Sequence, residues 1–400
     1  MKRYHELDSL RGLAALSVVM SHCLISFPVF LSAVAHESID HPTVKFLANS
    51  PIHIFWAGHE AVILFFVLSG YVLSLQFLNH QYTKYSIYVT RRFFRIYVPY
   101  ITSILVSMFL FTALEENDSD ALSSWFNSMW SIPFDLKQAI SFLLLLGFDT
   151  HNINTVTWSL VHELRISLIF PLVMVVVLKY NWFKSFLYGF MITITTWYIM
   201  SFISWHLTNQ NISLMIQSFS YTAYYSLFFI LGAIFAKYRH VIAHYFKCFG
   251  IITKSLLIIL ALLLYINEWI LPHIGYIKLY GTLSAKLIST FVIDFLISIG
   301  VLVLFTFSLN WAPFTKVLTN RVFIYLGKIS YSVYLVHPII LLFFVYATKN
   351  ILPLNSLIFF VLLLSLSVAS LMYKYVEKPS ISLGRWMTKH RVTKSNTVIK

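Results

Sequence analysis

The sequence predicts an all-α integral membrane protein, a bundle of about ten transmembrane helices, and three observations carry that expectation. Of 400 residues, 58% are hydrophobic and 11% charged, and mean hydropathy is +0.76, far from the usage of soluble domains. The apolar residues come in runs of about 18 or more, long enough to cross a ~30 Å hydrocarbon layer. The Lys and Arg residues behind the net charge of +14 lie between those runs, where cytoplasmic loops need them. They form no basic stripe with interleaved stacking aromatics, which argues against a nucleic-acid partner.

Taken in order, spans are expected near residues 10–31, 60–78, 96–114, 159–178, 185–205, 218–236, 252–271, 286–307, 323–346 and 354–374. An eleventh apolar stretch, 139–148, is too short to cross, and charge parity decides its place. The loops with Lys84, Arg91, Arg92 and Arg95, with Lys237, Arg239, Lys247 and Lys254, and with Lys316 and Arg321 all belong in the cytoplasm, as does the tail with Lys374, Lys378, Arg385, Lys389 and Arg391. These assignments agree only if 139–148 does not cross. It is therefore expected as a re-entrant or interfacial segment beside the acidic loop of Glu115, Glu116, Asp118 and Asp120. Both termini are then cytoplasmic. The expected organisation is one transmembrane domain, 1–380, followed by a basic cytoplasmic tail, 381–400, in a multi-pass protein of the plasma membrane.

Lys2, Arg3 and Ala33-Val34-Ala35 imitate a secretory signal, but Asp8, Arg11 and His22 interrupt its apolar core. Cys23 and Cys248 are too few for a disulfide framework, and no metal-ligand cluster appears.

An ionisable side chain at mid-depth costs roughly 2.5–3.5 kcal/mol on insertion scales, so each one inside a span is a functional candidate. They are Arg11, His22, His59, Glu60, His162, Glu163, Arg165, Lys286, Asp294 and His337. Arg11 and His22 are three turns plus about 20° apart, on one helical face and roughly 16 Å apart in depth. Ser159 and Glu163 share a face of the fourth span, and Trp158, His162 and Arg165 share another; a Glu163–Arg165 ion pair serving packing alone is the bland alternative. Arg91, Arg92 and Arg95 precede the third span, and Arg92 and Arg95, one turn apart, suit phosphates through bidentate bonds. Ser69-Gly70-Tyr71 puts small residues in mid-span, favouring close helix contact. Ser330, Tyr334 and His337 fall on one face, polar in lipid.

Together these segments resemble the acyltransferase-3 family of membrane acyltransferases. The resemblance rests on Leu10-Arg11-Gly12-Leu13-Ala14-Ala15 with His22, Phe65 to Tyr71, Arg92-x-x-Arg95, Trp158-Ser159-Leu160 with Glu163, Ser330 to His337, and the closing Tyr375-Val376-Glu377-Lys378-Pro379. It implies a ten-helix membrane domain that moves an acyl group, commonly acetyl, from cytoplasmic acyl-coenzyme A to a hydroxyl of an extracytoplasmic glycan or lipid-linked sugar. Acetyl-coenzyme A is then a donor substrate, and no tightly bound cofactor or metal is expected. The chain resembles stand-alone members, which acylate the acceptor directly or hand over to a separate extracytoplasmic transferase.

On that resemblance Arg92 and Arg95, with Arg91, hold coenzyme A phosphates, and Arg11 holds the donor's polar portion. His22 is a general base or is itself acylated, and Glu163 orients it. Ser69, Tyr71, Trp158, Ser159, His162, Ser330, Tyr334 and His337 support the site or line the acceptor pocket. The rival reading is a secondary transporter or flippase for a polar or lipid-linked substrate. Such folds usually show related halves with broken helices in matching positions, and the sequence shows neither.

Overall fold

The computed structural model describes residues 4–79, 84–114, 121–132, 135–147, 150–271, 274, 277–278, 280–348 and 353–396. Among these, nine helices are long and apolar enough to cross a membrane, and a shorter apolar helix, Ile251–Tyr265, accompanies them. The ten are α1 His5–Ile25, α2 Gly58–Leu78, α3 Tyr85–Ala113, α4 Thr157–Lys179, α5 Trp182–His206, α6 Gln210–Cys248, α7 Ile251–Tyr265, α8 Leu283–Asn310, α9 Arg321–Ala347 and α10 Leu354–Met372. A π-helical turn, Tyr373–Glu377, joins α10 to α11, Lys378–Asn396.

The first, third, sixth and seventh spans differ from the sequence expectation: α6 runs well past 218–236 at both ends, and α7 stops at Tyr265 rather than near 271. Helix α1 ends at Ile25 rather than near residue 31, because Phe27 precedes a proline and takes an extended conformation (φ −103°, ψ 135°). Pro28 then opens a separate helix, Pro28–Val34. Helix α3 begins at Tyr85, eleven residues early, and so carries Arg91, Arg92 and Arg95 inside the helix. The segment expected as a tail is helical through Asn396, and α11 packs antiparallel on α3 through Gly384 against Phe94 and Thr388 against Arg91.

Contacts at two heights fix relative directions. Gly12 meets Gly327 and His22 meets His337, so α1 and α9 run parallel. Tyr4 packs on Tyr71 and Ser21 on Gly58, so α1 and α2 are antiparallel. Ser69 with Glu163 and Phe77 with Phe170 align α2 with α4; Phe66 with Tyr225 and Tyr71 with Phe235 align it with α6; His59 with Asp294 and Tyr71 with Phe305 align it with α8. The end where α1 starts is the lower end below, and the end where it stops the upper.

Two glycine contacts make the centre tight. A Cβ on Gly12 would lie 2.7 Å from the Gly327 backbone nitrogen, and one on Gly70 would run into the Phe229 backbone. Small residues let helix backbones approach closely in this way. The outward faces are apolar, with Phe109, Leu172, Ile192, Ile252 and Ile288 all exposed, as lipid contact requires. Leu136–Leu144, which overlaps the stretch 139–148, is a helix of nine residues and spans only about 14 Å.

Candidate active site

The site is a polar track along the α1–α9 seam. At its lower end, α3 presents Arg92 and Arg95 toward Arg11; the three guanidiniums lie within electrostatic reach of one another, and Arg11 and Arg92 within reach of Glu163. Glu377, on the π-helical turn, adds its charge to Arg11 and accepts a hydrogen bond from Ser332 at 2.7 Å. Asp8 pairs with Arg11 at 3.9 Å, one turn away. The glycine contact between α1 and α9 and the early start of α3 put these side chains together. Arg91 is not brought into this group; its Nε donates to Thr388 Oγ1 at 2.9 Å.

Halfway up, Ser69 donates to Glu163 Oε1 at 3.1 Å, and Ser159 and Tyr334 share a hydrogen bond at 2.7 Å. Glu163 therefore engages α2 and the arginines, and the expected contact with His22 is taken by another residue. Ser330 is buried and donates to the Gly327 carbonyl of its own helix. Tyr71 packs against Tyr4, at the opposite end of α1 from His22.

At the upper end His337 Nε2 lies 2.9 Å from His22 Nδ1. His337 Nδ1 lies 3.1 Å from the Val333 carbonyl, which can only accept, so the proton is on Nδ1 and Nε2 is the lone-pair nitrogen of a neutral ring. The proton between the rings then belongs to His22 Nδ1, and His22 Nε2 is left with a lone pair. Pro338 has no N–H to give the Tyr334 carbonyl, which loosens the next turn, and Asn154 Nδ2 bonds the Leu335 carbonyl there at 3.0 Å.

A short segment roofs the pair. Trp125 lies 4.9 Å from the His22 ring, centroid to centroid, and Ser123 caps the end of α1 through the Ile25 and Ser26 carbonyls. His151 holds the Trp125 carbonyl at 3.2 Å, and burial pushes its imidazole below the usual range.

Of the other face of α4, His162 Nδ1 meets Thr222 Oγ1 at 2.9 Å, and Trp158 packs on His162 and Tyr225. Arg165 makes no pair with Glu163. It donates to the Leu145 and Leu146 carbonyls at 2.6 and 2.7 Å, in the turn that follows the helix Leu136–Leu144. Trp125 and Asn154 were not singled out by sequence; the His337-Pro338 pair inside a helix was the legible signal for a loosened turn.

Among the described residues no group of three or more His, Cys, Asp or Glu could hold a metal ion. A protein-family model described as an acyltransferase domain, that of the acyltransferase-3 family, matches residues 4–374. No curated protein and no solved structure matches the chain.

Proposed function

Because the chain belongs to the acyltransferase-3 family and is a membrane acyltransferase, we propose that it carries an acetyl group from cytoplasmic acetyl-coenzyme A to a hydroxyl of an extracytoplasmic glycan or lipid-linked sugar. The observation that carries this reading is the fixed tautomer of His22, whose lone pair on Nε2 stands three helical turns above Arg11 of the same helix, which gathers with Arg92 and Arg95 of α3. The lower end is then the cytoplasmic one in the plasma membrane, with both termini on that side and the helix Leu136–Leu144 re-entering from the outer side, its last carbonyls reached by Tyr97 and Tyr100 of α3. The basic loops of the sequence support that orientation.

Arg92, Arg95 and Arg11 take the donor's phosphates, for which a fork of planar donors is suited, and the thioester arm rises along the seam. The acceptor's hydroxyl proton passes to His22 Nε2 while its oxygen bonds the thioester carbon. The carbon–sulfur bond breaks, its electron pair leaves with sulfur, and the thiolate takes the proton back from His22. His337 and the Trp125 roof keep the imidazole oriented and shielded from water.

The test is acetyl transfer by purified protein from acetyl-coenzyme A to membrane acceptors, with His22→Ala as the comparison. Loss of transfer is expected, and transfer preserved in that variant would remove His22 from the chemistry. A glycan profile of cells with and without the gene, read for a ~42 Da increment, identifies the acceptor through ordinary acyl-transfer chemistry.

A further inference from the structure

A second imidazole centre lies at the upper end, and the reaction above does not use it. His59 opens α2, next to Gly58, which touches Ser21 beside His22. His59 Nε2 stands 2.6 Å from Asp294 Oδ1, and Tyr224 donates to the other carboxylate oxygen at 2.8 Å. Asp294 and Tyr224 are fully buried, whereas 32% of the His59 side chain is exposed. Since the carboxylate accepts from Nε2–H, the lone pair of the neutral ring is on Nδ1, and among the described residues nothing bonds that nitrogen.

His59 is also within electrostatic reach of Lys278 and Glu268. Those two pair at 3.2 Å, and His36 joins Glu268 at 3.4 Å. Beside this network opens a cleft of about 510 Å³ whose walls include His36, Glu37, Ser38, Lys45, Asn49 and Trp269. Its volume falls in the range for small-molecule sites, and an aromatic wall among short polar groups suits a hydroxyl-rich ring.

We propose that His59, held by Asp294 and Tyr224, is the hydroxyl-recognition residue of an outer acceptor site whose ligand class is a saccharide: a sugar hydroxyl donates to Nδ1 while neighbouring rings rest in the cleft. This rests on the acyl-transfer reading above. A mere tie between α2, α6 and α8 needs no exposed third of the ring at an aqueous end. Nor does a tie explain why a carboxylate is buried in a span, where an ionisable group is costly and marks function by default.

The experiment measures initial rates of acetyl transfer from acetyl-coenzyme A to acceptors in membranes of cells lacking the gene, varying each substrate. His59→Gln keeps an N–H toward Asp294 but removes the ring lone pair. Asp294→Asn keeps the shape and turns the ring to the other tautomer, as in catalytic triads. Both are expected to raise the acceptor KM about tenfold, the effect of one lost hydrogen bond of ~1.4 kcal/mol, with the donor KM moving less than twofold. Tyr224→Phe, which leaves the His59–Asp294 bond in place, is expected to change the acceptor KM less than either.

An unchanged acceptor KM in His59→Gln and Asp294→Asn overturns the proposal, as does a common rise in both KM values with a matching loss of thermal stability. Absence of transfer by the wild-type protein would instead sink the acyl-transfer reading, and this one with it.

Discussion

His337 holds His22 from across a parallel helix pair, Nε2 to Nδ1 at 2.9 Å, and thereby decides which His22 nitrogen keeps its lone pair. His337→Ala frees the ring to take either tautomer. A drop in kcat of at least tenfold is expected, smaller than the 10²–10⁴-fold that removing a general base costs, with the donor KM little changed. His337→Gln, whose amide oxygen can accept from His22 Nδ1, should restore part of the rate. Steady-state kinetics on the three proteins check this, and equal rates in wild type and His337→Ala would refute the orienting role.

The arginines should separate by function. Arg92→Lys and Arg95→Lys each lose a planar fork for which an ammonium is no substitute. With charged hydrogen bonds worth about 1.5–3 kcal/mol, the donor KM should rise roughly 10- to 100-fold. Arg91→Lys should move it far less, because Arg91 is spent on Thr388. Isothermal titration with coenzyme A gives the same order without turnover.

The glycine seams set packing. Gly70→Leu drives a side chain into the Phe229 backbone, a worse overpacking than the usual 1–3 kcal/mol, and should abolish recovery of folded protein in detergent. Gly250→Ala is the control: nothing lies within 4 Å of its Cβ, and its effect should stay within about 0.5 kcal/mol. Monodispersity by size-exclusion chromatography reads both.

The upper ion network predicts a pH dependence of stability. Burial alone would push the Glu268 carboxyl up, but Lys278 and the hydrogen bond with His36 outweigh it and hold it well below its ordinary 4.5. Its contribution is therefore complete above about pH 4.5 and is lost as pH falls through the lower folded value. Burial alone would push Lys278 down, but Glu268 and Asp294 hold it above its ordinary 10.5, so its contribution is complete below that pH and fades only above it. Lys278→Met leaves Glu268 with the weaker His36 contact and should cost up to about 3–5 kcal/mol, the range for broken buried pairs. Its melting temperature should then rise on mild acidification, whereas the wild type's should not. Melting curves from pH 4 to 9 decide it, and identical curves count against the network.

Orientation has a direct check in a native residue. Cys248 is exposed at the lower end of α6, and Cys23 is buried. A membrane-impermeant maleimide should label the protein only after cells are permeabilised. Labelling of intact cells would reverse the sidedness.

Much of this was legible in the sequence, for physical reasons. Lipid demands apolar runs of fixed length, so the spans stand out, and mid-depth charges are rare enough to mark the track. Arg11 and His22 could be placed on one face because helical periodicity is local. The partner of His22 could not be read, because residue 337 lies 315 positions away and the pairing depends on how closely Gly12 lets α9 approach. Glu163 looked the better partner on chemistry alone, yet its depth on α4 matches Ser69 and the arginines. The boundaries of α1 and α3 depart from the hydropathy pattern because the proline at 28 ends one apolar run early, while charged residues 91–95 are helical despite their polarity.

The pairing of α1 with α9 also has a consequence for biosynthesis. Helix α1 enters the bilayer first, but its imidazole stays without a partner until nearly the whole polypeptide has left the ribosome. On the mechanism proposed above, a nascent chain stopped before that point carries the arginines yet lacks the group that orients its base. On that reading, competence arrives late in synthesis, when the ninth helix docks beside the first.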